Sequence, residues 1–214
     1  TPGELNSLFA KMEPELRLMC QIMYGAGLRL PELLELRVRN VNLDRRQLEL
    51  GNSGDETQRI CNIPESCLPG LQAQLRKVRE IFESDRRENA PGVSVPDTIA
   101  ELTPDAGFHW EWQWVFPSRN LTRDRNTGLR RRHHWNAFTF QRSVKKAGED
   151  CGLEKRVTPH VFRHSYAMHL LQAGTAVKKV QQLMDHRTLE TTLTYVHALQ
   201  GANKDTASNV ALSA

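Results

Sequence analysis

Between Arg39 and Ile63 the spacing of apolar residues changes, and that change constrains the fold more than anything else in the chain. Ahead of it, Leu16, Met19, Cys20 and Met23 recur at helical intervals; behind it, Leu68, Leu71, Leu75, Val78, Ile81 and Phe82 do the same. Inside it, residues 39–43, 47–50 and 59–63 fit three short strands, linked by Asp44-Arg45 and by the turn-like run "GNSGDE". Strands this short with such tight links form a small antiparallel sheet. Helices, a three-stranded sheet and more helices predict an α+β fold, mostly α.

The remaining elements follow from caps and breakers. Thr1 and Glu4 form a capping box, so a helix opens the chain. The helix from Pro14 to Tyr24 is stopped by "GAG" at 25–27, and a shorter one at 30–37 is entered through Pro31. A long helix runs from Pro64 to about Glu88. Residues 89–128 are rich in Pro, Gly and small side chains around one short helix at 97–102, followed by "FHWEWQWVFPSRN". That run holds three of the four Trp; a solvated loop does not need them, so the segment is expected to pack on something. Helices are predicted at 134–151, 159–172, 176–184 and 188–199, and the small, polar tail 201–214 is expected to be loose or docked elsewhere.

With 214 residues and 39% hydrophobic side chains, the chain has material for one ordinary domain, or a larger one with an insertion. No run of eighteen apolar residues exists, so no membrane span is expected. A net charge of +4 points mildly to a polyanionic partner, and 21 of the 29 cationic residues are Arg, which suits bidentate phosphate contacts. Cys20, Cys61, Cys67 and Cys151 form no C-x-x-C pair and read as reduced cytosolic thiols. The adjacent His133 and His134 suit a single metal poorly and H-E-x-x-H is absent, so neither metal nor cofactor is expected.

The stretch "TPHVFRHSYAMHLL" at 158–171 carries the sharpest chemical signal. Thr158 suits an N-cap and Pro159 the first helical position, so His160 and Arg163 share one face of a helix's first turn. Free backbone N–H groups and the positive end of the helix dipole make that end an anion site. Taken singly, H-x-x-R is more often a solvated helix face, Arg29 a salt-bridged surface residue, His186 a solvated C-terminal histidine and Tyr195 a half-buried aromatic.

Together, in the order R…H-x-x-R…H…Y, these residues resemble the tyrosine recombinase (phage integrase) family. Its G-L-R-x-x-E-L-x-x-L pattern matches 27–36, H-x-x-R-H-S/T-x-A-x-x-L-L matches 160–171, and L-x-G/D-H-x-x-x-x-T-T-x-x-Y-x-H matches 183–197. "WEWQWVFPSR" at 110–119, "RRHH" at 131–134 and an insertion like 89–109 make the chain similar to integron integrases in particular. The resemblance covers residues 1–200 as a catalytic domain, and implies a fold of that kind with the N-terminal core-binding domain lying outside this chain.

The resemblance implies strand cleavage and rejoining through a 3′-phosphotyrosine, without metal or ATP. Tyr195 would be the nucleophile. Arg29 and Arg163 would bind the non-bridging phosphate oxygens, and His186 would hydrogen-bond one of them. His160 would take or orient the tyrosine proton. Glu32 is expected to buttress an arginine or its helix. The family's general-acid lysine has no counterpart: aligned on Arg59 and Pro64, Gly54 and Thr57 replace two lysines, beside the acidic Asp55 and Glu56. Losing such an acid costs about 10²–10⁴ in rate.

Arg130, Arg131, Arg132, His133 and His134, with Arg142, Lys145 and Lys146, form a basic edge expected to contact DNA phosphates. The resemblance makes His133, His134 and either Trp112 or Trp114 the candidates for stacking on unpaired bases of folded single-stranded cassette ends. The expected partners are therefore duplex and folded DNA and further copies of the chain, in a tetrameric synapse within the bacterial cytoplasm. Two other readings remain open: a catalytically impaired DNA-binding relative, favoured by the lysine loss, and a topoisomerase-like enzyme, against which the insertion counts.

Overall fold

The computed structural model describes residues 1–51 and 59–211, with side chains to Gln200. Helix α1 (Pro2–Lys11) starts from the capping box: Thr1 Oγ1 accepts the Glu4 N–H at 3.3 Å, and the Glu4 carboxylate accepts the terminal ammonium at 2.7 Å. Helix α2 (Pro14–Ala26) buries the predicted stripe of Leu16, Met19, Cys20 and Met23. Gly27 ends it at φ +63°, a left-handed turn that glycine reaches without penalty. Helix α3 (Leu30–Leu34) is shorter than the predicted 30–37.

The sheet has the predicted antiparallel order, β1 (Val41–Asn42), β2 (Gln47–Leu50) and β3 (Arg59–Asn62), with Leu48 opposite Cys61 and Glu49 opposite Ile60. Leu48, Leu50 and Cys61 face the core while Ile60 is exposed, as a period of two requires. β1 is shorter than expected because Val38–Asn40 take a tight 3₁₀ turn. The link with Gly54, Asp55, Glu56 and Thr57, where the family's lysine would stand, lies outside the described residues.

Helix α4 (Leu68–Arg87) leads into the segment 89–128, which holds α5 (Asp97–Leu102). A two-stranded ladder, β4 (Thr122–Arg123) with β5 (Arg130–Arg131), follows; its Arg-rich strands carry no apolar alternation that would have announced it. Helices α6 (Ala137–Asp150), α7 (Pro159–Gln172), α8 (Val177–Met184) and α9 (Leu189–Ala211) complete the chain. α9 runs on past Gln200 into the segment expected from the sequence to be a loose or separately docked tail.

The main core lies among α1, α2 and α7, where Phe162 of α7 stacks on Phe9 of α1 at 5.9 Å, and extends to Phe116 and Phe140. The tryptophan segment makes a second core of Val93, Ala106, Trp112 and Trp114. A third, of Ala167, Val180 and Met184 with Tyr166 and Tyr195 against it, fastens α8 and α9 onto α7. No helix among the described residues is long and apolar enough to cross a membrane.

Candidate active site

The last turn of a helix leaves carbonyl oxygens without intrahelical partners, at the negative end of its dipole. At the end of α8 three arginines take them. Arg59 Nη1 donates to the Leu183 carbonyl at 3.2 Å, Arg163 Nη2 to that of Met184, and Arg29 Nη2 to that of Asp185 at 2.7 Å. The Gly27 carbonyl accepts from Arg163 Nη1, and from Arg59 Nη2 at 3.4 Å. The turn at Gly27 is close-packed, since a Cβ there would meet the Tyr166 ring at 2.6 Å. The C-terminal ends of α2 and α8 are thus tied together through guanidinium groups.

Glu32 is the carboxylate inside this cluster. Its Oε1 accepts from Arg29 Nη1 at 2.9 Å; its Oε2 accepts from the Arg29 backbone N–H at 2.6 Å and from Arg59 Nη2 at 3.3 Å. A second carboxylate, Asp185, accepts from Arg29 Nη1 at 2.9 Å. These residues line a cleft of about 390 Å³ that runs past Arg37 and Arg39 to Trp112 and Trp114.

Burial, then the neighbouring Arg29 and Arg59, lower the Arg163 pKa to about 10, which leaves it charged at neutral pH. Burial also pulls at Arg29, but Asp185 and Glu32 more than offset it, and its pKa rises. His186 follows the α8 end directly. Burial lowers its pKa, helped by Arg163 and Arg29, so its ring is neutral at pH 7. Its Nδ1 lies 2.9 Å from Thr192 Oγ1, and its ring stacks on Tyr195 at 5.8 Å and 9°. Tyr195, half-buried on α9, also meets the His164 ring at 4.9 Å.

The structure therefore brings Arg29, Glu32, Arg163, His186 and Tyr195 together. His160 sits one turn ahead of Arg163 on α7 and is exposed; no hydrogen bond or ring contact joins it to them among the described residues. It opens onto a second groove of about 610 Å³, shared with Phe138, Arg142, Lys145 and Arg156.

The basic edge divides. Arg130, Arg142, Lys145 and Lys146 are exposed. Arg132 is pinned at Nε to Asp85 Oδ2 at 2.7 Å and at Nη1 to the carbonyls of Ser118 and Arg119. Arg131 pairs with Asp124 at 3.4 Å. Burial lowers the His133 pKa, and His134 sets its ring edge against Trp114. Trp112 and Trp114 are each 5% exposed, with the Arg37 guanidinium 3.7 Å from the Trp114 ring centre and Arg39 4.4 Å from that of Trp112. Both indoles, candidates for base stacking, are thus largely buried and packed against guanidinium groups.

Arg59, His164 and Asp185 were not singled out from the sequence. The alternation that turns Cys61 inward turns Arg59 inward too, and a cation on a strand's buried face needs an anionic or carbonyl partner. His164 and Asp185 fall on fixed positions of the matched patterns, H-x-x-R-H and L-x-G/D-H, but were given no role there.

The phage integrase family model matches residues 1–201. An integrase/recombinase of Escherichia coli is 38% identical over 200 residues, covering 94% of this chain and 59% of the relative. Tyrosine recombinase XerD of Agrobacterium fabrum is 26% identical over 200 residues, covering 93% and 52%. Among solved structures, XerA recombinase superposes with a TM-score of 0.65 at 21% identity, over 98% of this chain and 63% of that one. The integrase of transposon Tn1549, in complex with circular intermediate DNA, gives 0.61 at 21%, over 91% and 59%. The chain thus spans between half and two-thirds of the length of these relatives, and at such identity the two structures speak for the fold alone.

Proposed function

The chain belongs to the phage integrase family, and from that premise and the arginine pocket we propose that it is the catalytic part of a site-specific DNA recombinase that works through Tyr195. The observation carrying this reading is the convergence of Arg29, Arg163, His186 and Tyr195 at the end of α8. A phosphodiester in the pocket would meet Arg29 and Arg163, each already oriented by carbonyl or carboxylate partners, so little reorganisation is left for the reaction itself.

Tyr195 Oη attacks the phosphorus; the bond to the 5′ oxygen breaks, leaving a 3′-phosphotyrosine and a 5′-hydroxyl. Attack by a second strand's 5′-hydroxyl reverses these changes and frees the tyrosine. The arginines offset the charge that grows on the non-bridging oxygens, and neutral His186 donates a hydrogen bond to one of them. A histidine accepts the tyrosine proton. The family resemblance assigns that role to His160, while His164 stands beside the Tyr195 ring with its pKa lowered by burial.

The leaving 5′ oxygen needs a proton, and no Lys lies between Lys11 and Lys77 to supply one from the β2–β3 link. That observation favours a second reading: a relative that occupies DNA sites and cleaves them slowly. We favour a recombinase of the integron type, acting on duplex sites and folded cassette ends as a DNA-bound oligomer, on the strength of "WEWQWVFPSR", "RRHH" and the insertion at 89–109.

The test is a pool of nicked suicide duplexes, whose cleaved end diffuses away and traps any covalent complex. An adduct mapping to Tyr195 and absent from Tyr195→Phe, with DNA binding retained, is expected. An adduct that persists in the Phe variant would sink the assignment.

A further inference from the structure

Of the three arginines at the α8 end, Arg29 is the one an incoming anion meets first. Its side chain is 43% exposed, against 10% for Arg59, and Arg163 is buried. Yet its outward face is already occupied: Nη1 bonds the Asp185 carboxylate and Nη2 the Asp185 carbonyl. Asp185 holds this place in a left-handed conformation, φ 51° and ψ 50°, as the cap that ends α8. Glycine would end a helix there at no steric cost. A residue with a Cβ carries a backbone penalty, and its carboxylate stands over a guanidinium.

The charges are also informative. Arg29, Arg59 and Arg163 face a single inner carboxylate, Glu32. Asp185 supplies a second negative charge, and its carboxylate is half exposed. A phosphodiester carries one negative charge as well, so exchanging it for Asp185 leaves the pocket's net charge unchanged.

We propose that Asp185 is a built-in competitor for the phosphate seat on Arg29, so that DNA enters the pocket only by displacing its carboxylate. This rests on the recombinase reading, because it takes the guest to be a phosphodiester. Free anions, which have nothing else to hold them, compete poorly against a tethered carboxylate. A DNA backbone already gripped by other contacts delivers its phosphate at high local concentration and wins. Asp185 is thus a positioning residue that selects phosphates belonging to a bound polymer.

The test titrates inorganic phosphate into the full chain and follows the arginine side-chain N–H resonances. Asp185→Asn keeps the shape and tolerates the left-handed turn. It is expected to bind phosphate about three- to fivefold more tightly, the scale of a half-exposed ion pair. Asp185→Gly, which relieves the backbone penalty, should show the same gain and guards against a folding defect in the first variant. In an Arg29→Lys background the gain should vanish, an outcome that a merely structural role for Asp185 does not produce. Equal or weaker phosphate binding in both Asp185 variants overturns the inference, as does a gain that survives without Arg29. Duplex binding by the unaltered chain at low salt is measured alongside: its absence counts against the recombinase reading, whereas intact duplex binding with unchanged phosphate affinities counts against Asp185 alone.

Discussion

Replacing Asp85 by alanine removes the carboxylate that holds Arg132 inside the protein. The pair is well buried, with side chains 8% and 13% exposed, and Asp85 accepts from both Nε and Nη2 of Arg132. What remains for the guanidinium is Nη1, bonded to the carbonyls of Ser118 at 3.0 Å and Arg119 at 2.9 Å. Breaking a buried pair by deleting one partner typically costs 3–5 kcal/mol, because a charge is left without its counter-ion. The two remaining carbonyl acceptors place Asp85→Ala near the lower end, about 3 kcal/mol. For a chain of this size each kcal/mol moves the melting temperature by roughly 2–4 °C, so a fall of about 6–12 °C is expected. Urea unfolding followed by circular dichroism gives the free energy directly. The double variant Asp85→Leu/Arg132→Met, which removes both charges, should recover most of the loss. A loss under about 1 kcal/mol, or a double variant no better than the single one, refutes a structural role for the pair. It would return Arg132 to the surface contacts expected from "RRHH".

Burial lowers the pKa of His164 and His186, so the native state resists their protonation while the unfolded chain takes protons from about pH 6.5 downward. Stability should be full above that value and fall as the pH drops through the folded pKa values; melting temperatures from pH 7.5 to 5 should show this, and His186→Asn should flatten the slope. If the general acid is absent, a substrate with a 5′-bridging sulfur, whose thiolate leaves without a proton, should be cleaved far faster than ordinary DNA. Gly54→Lys should then speed cleavage of ordinary DNA alone; rapid cleavage of ordinary DNA by the unaltered chain rejects that account. Arg142→Ala with Lys145→Ala should weaken DNA binding evenly across sequences and reduce the salt slope by about two, one for each lost phosphate contact; an unchanged slope removes α6 from the interface.

How much of this was legible in the sequence depends on whether a residue answers to a local rule. The α1 capping box, the α2 stripe and the alternation of β2 follow from periodicity and caps, and the structure keeps them. The shortening of β1 follows no such rule: residues 38–40 turn into a 3₁₀ helix beside Arg37, whose guanidinium bonds the Trp112 and Ser94 carbonyls, partners 75 and 57 residues away. The tryptophan cluster shows the same limit. The sequence indicates that Trp112 and Trp114 pack against something, but their dependence on Arg37 is a tertiary fact. At the site, Arg29, Arg163, His186 and Tyr195 were found through motif order. Arg59 and Asp185 were not, because one faces inward on a strand and the other works through a left-handed turn.

The knot of arginines at the end of α8 also bears on how the chain matures. Gly27 and Arg163 are 136 positions apart, and Arg29 and Asp185 are 156 apart. Loops of that length close late and slowly compared with the local contacts of the helices. A chain emerging from the ribosome can form α1, α2 and the sheet early, with Glu32 and the Gly27 carbonyl as first partners for Arg29 and Arg59, but the carbonyls at the α8 end arrive only with residues 183–185. A nascent or truncated chain therefore carries Arg29, Arg59 and even Arg163 without an assembled cradle. The cradle is complete only once residues 183–186 have been made.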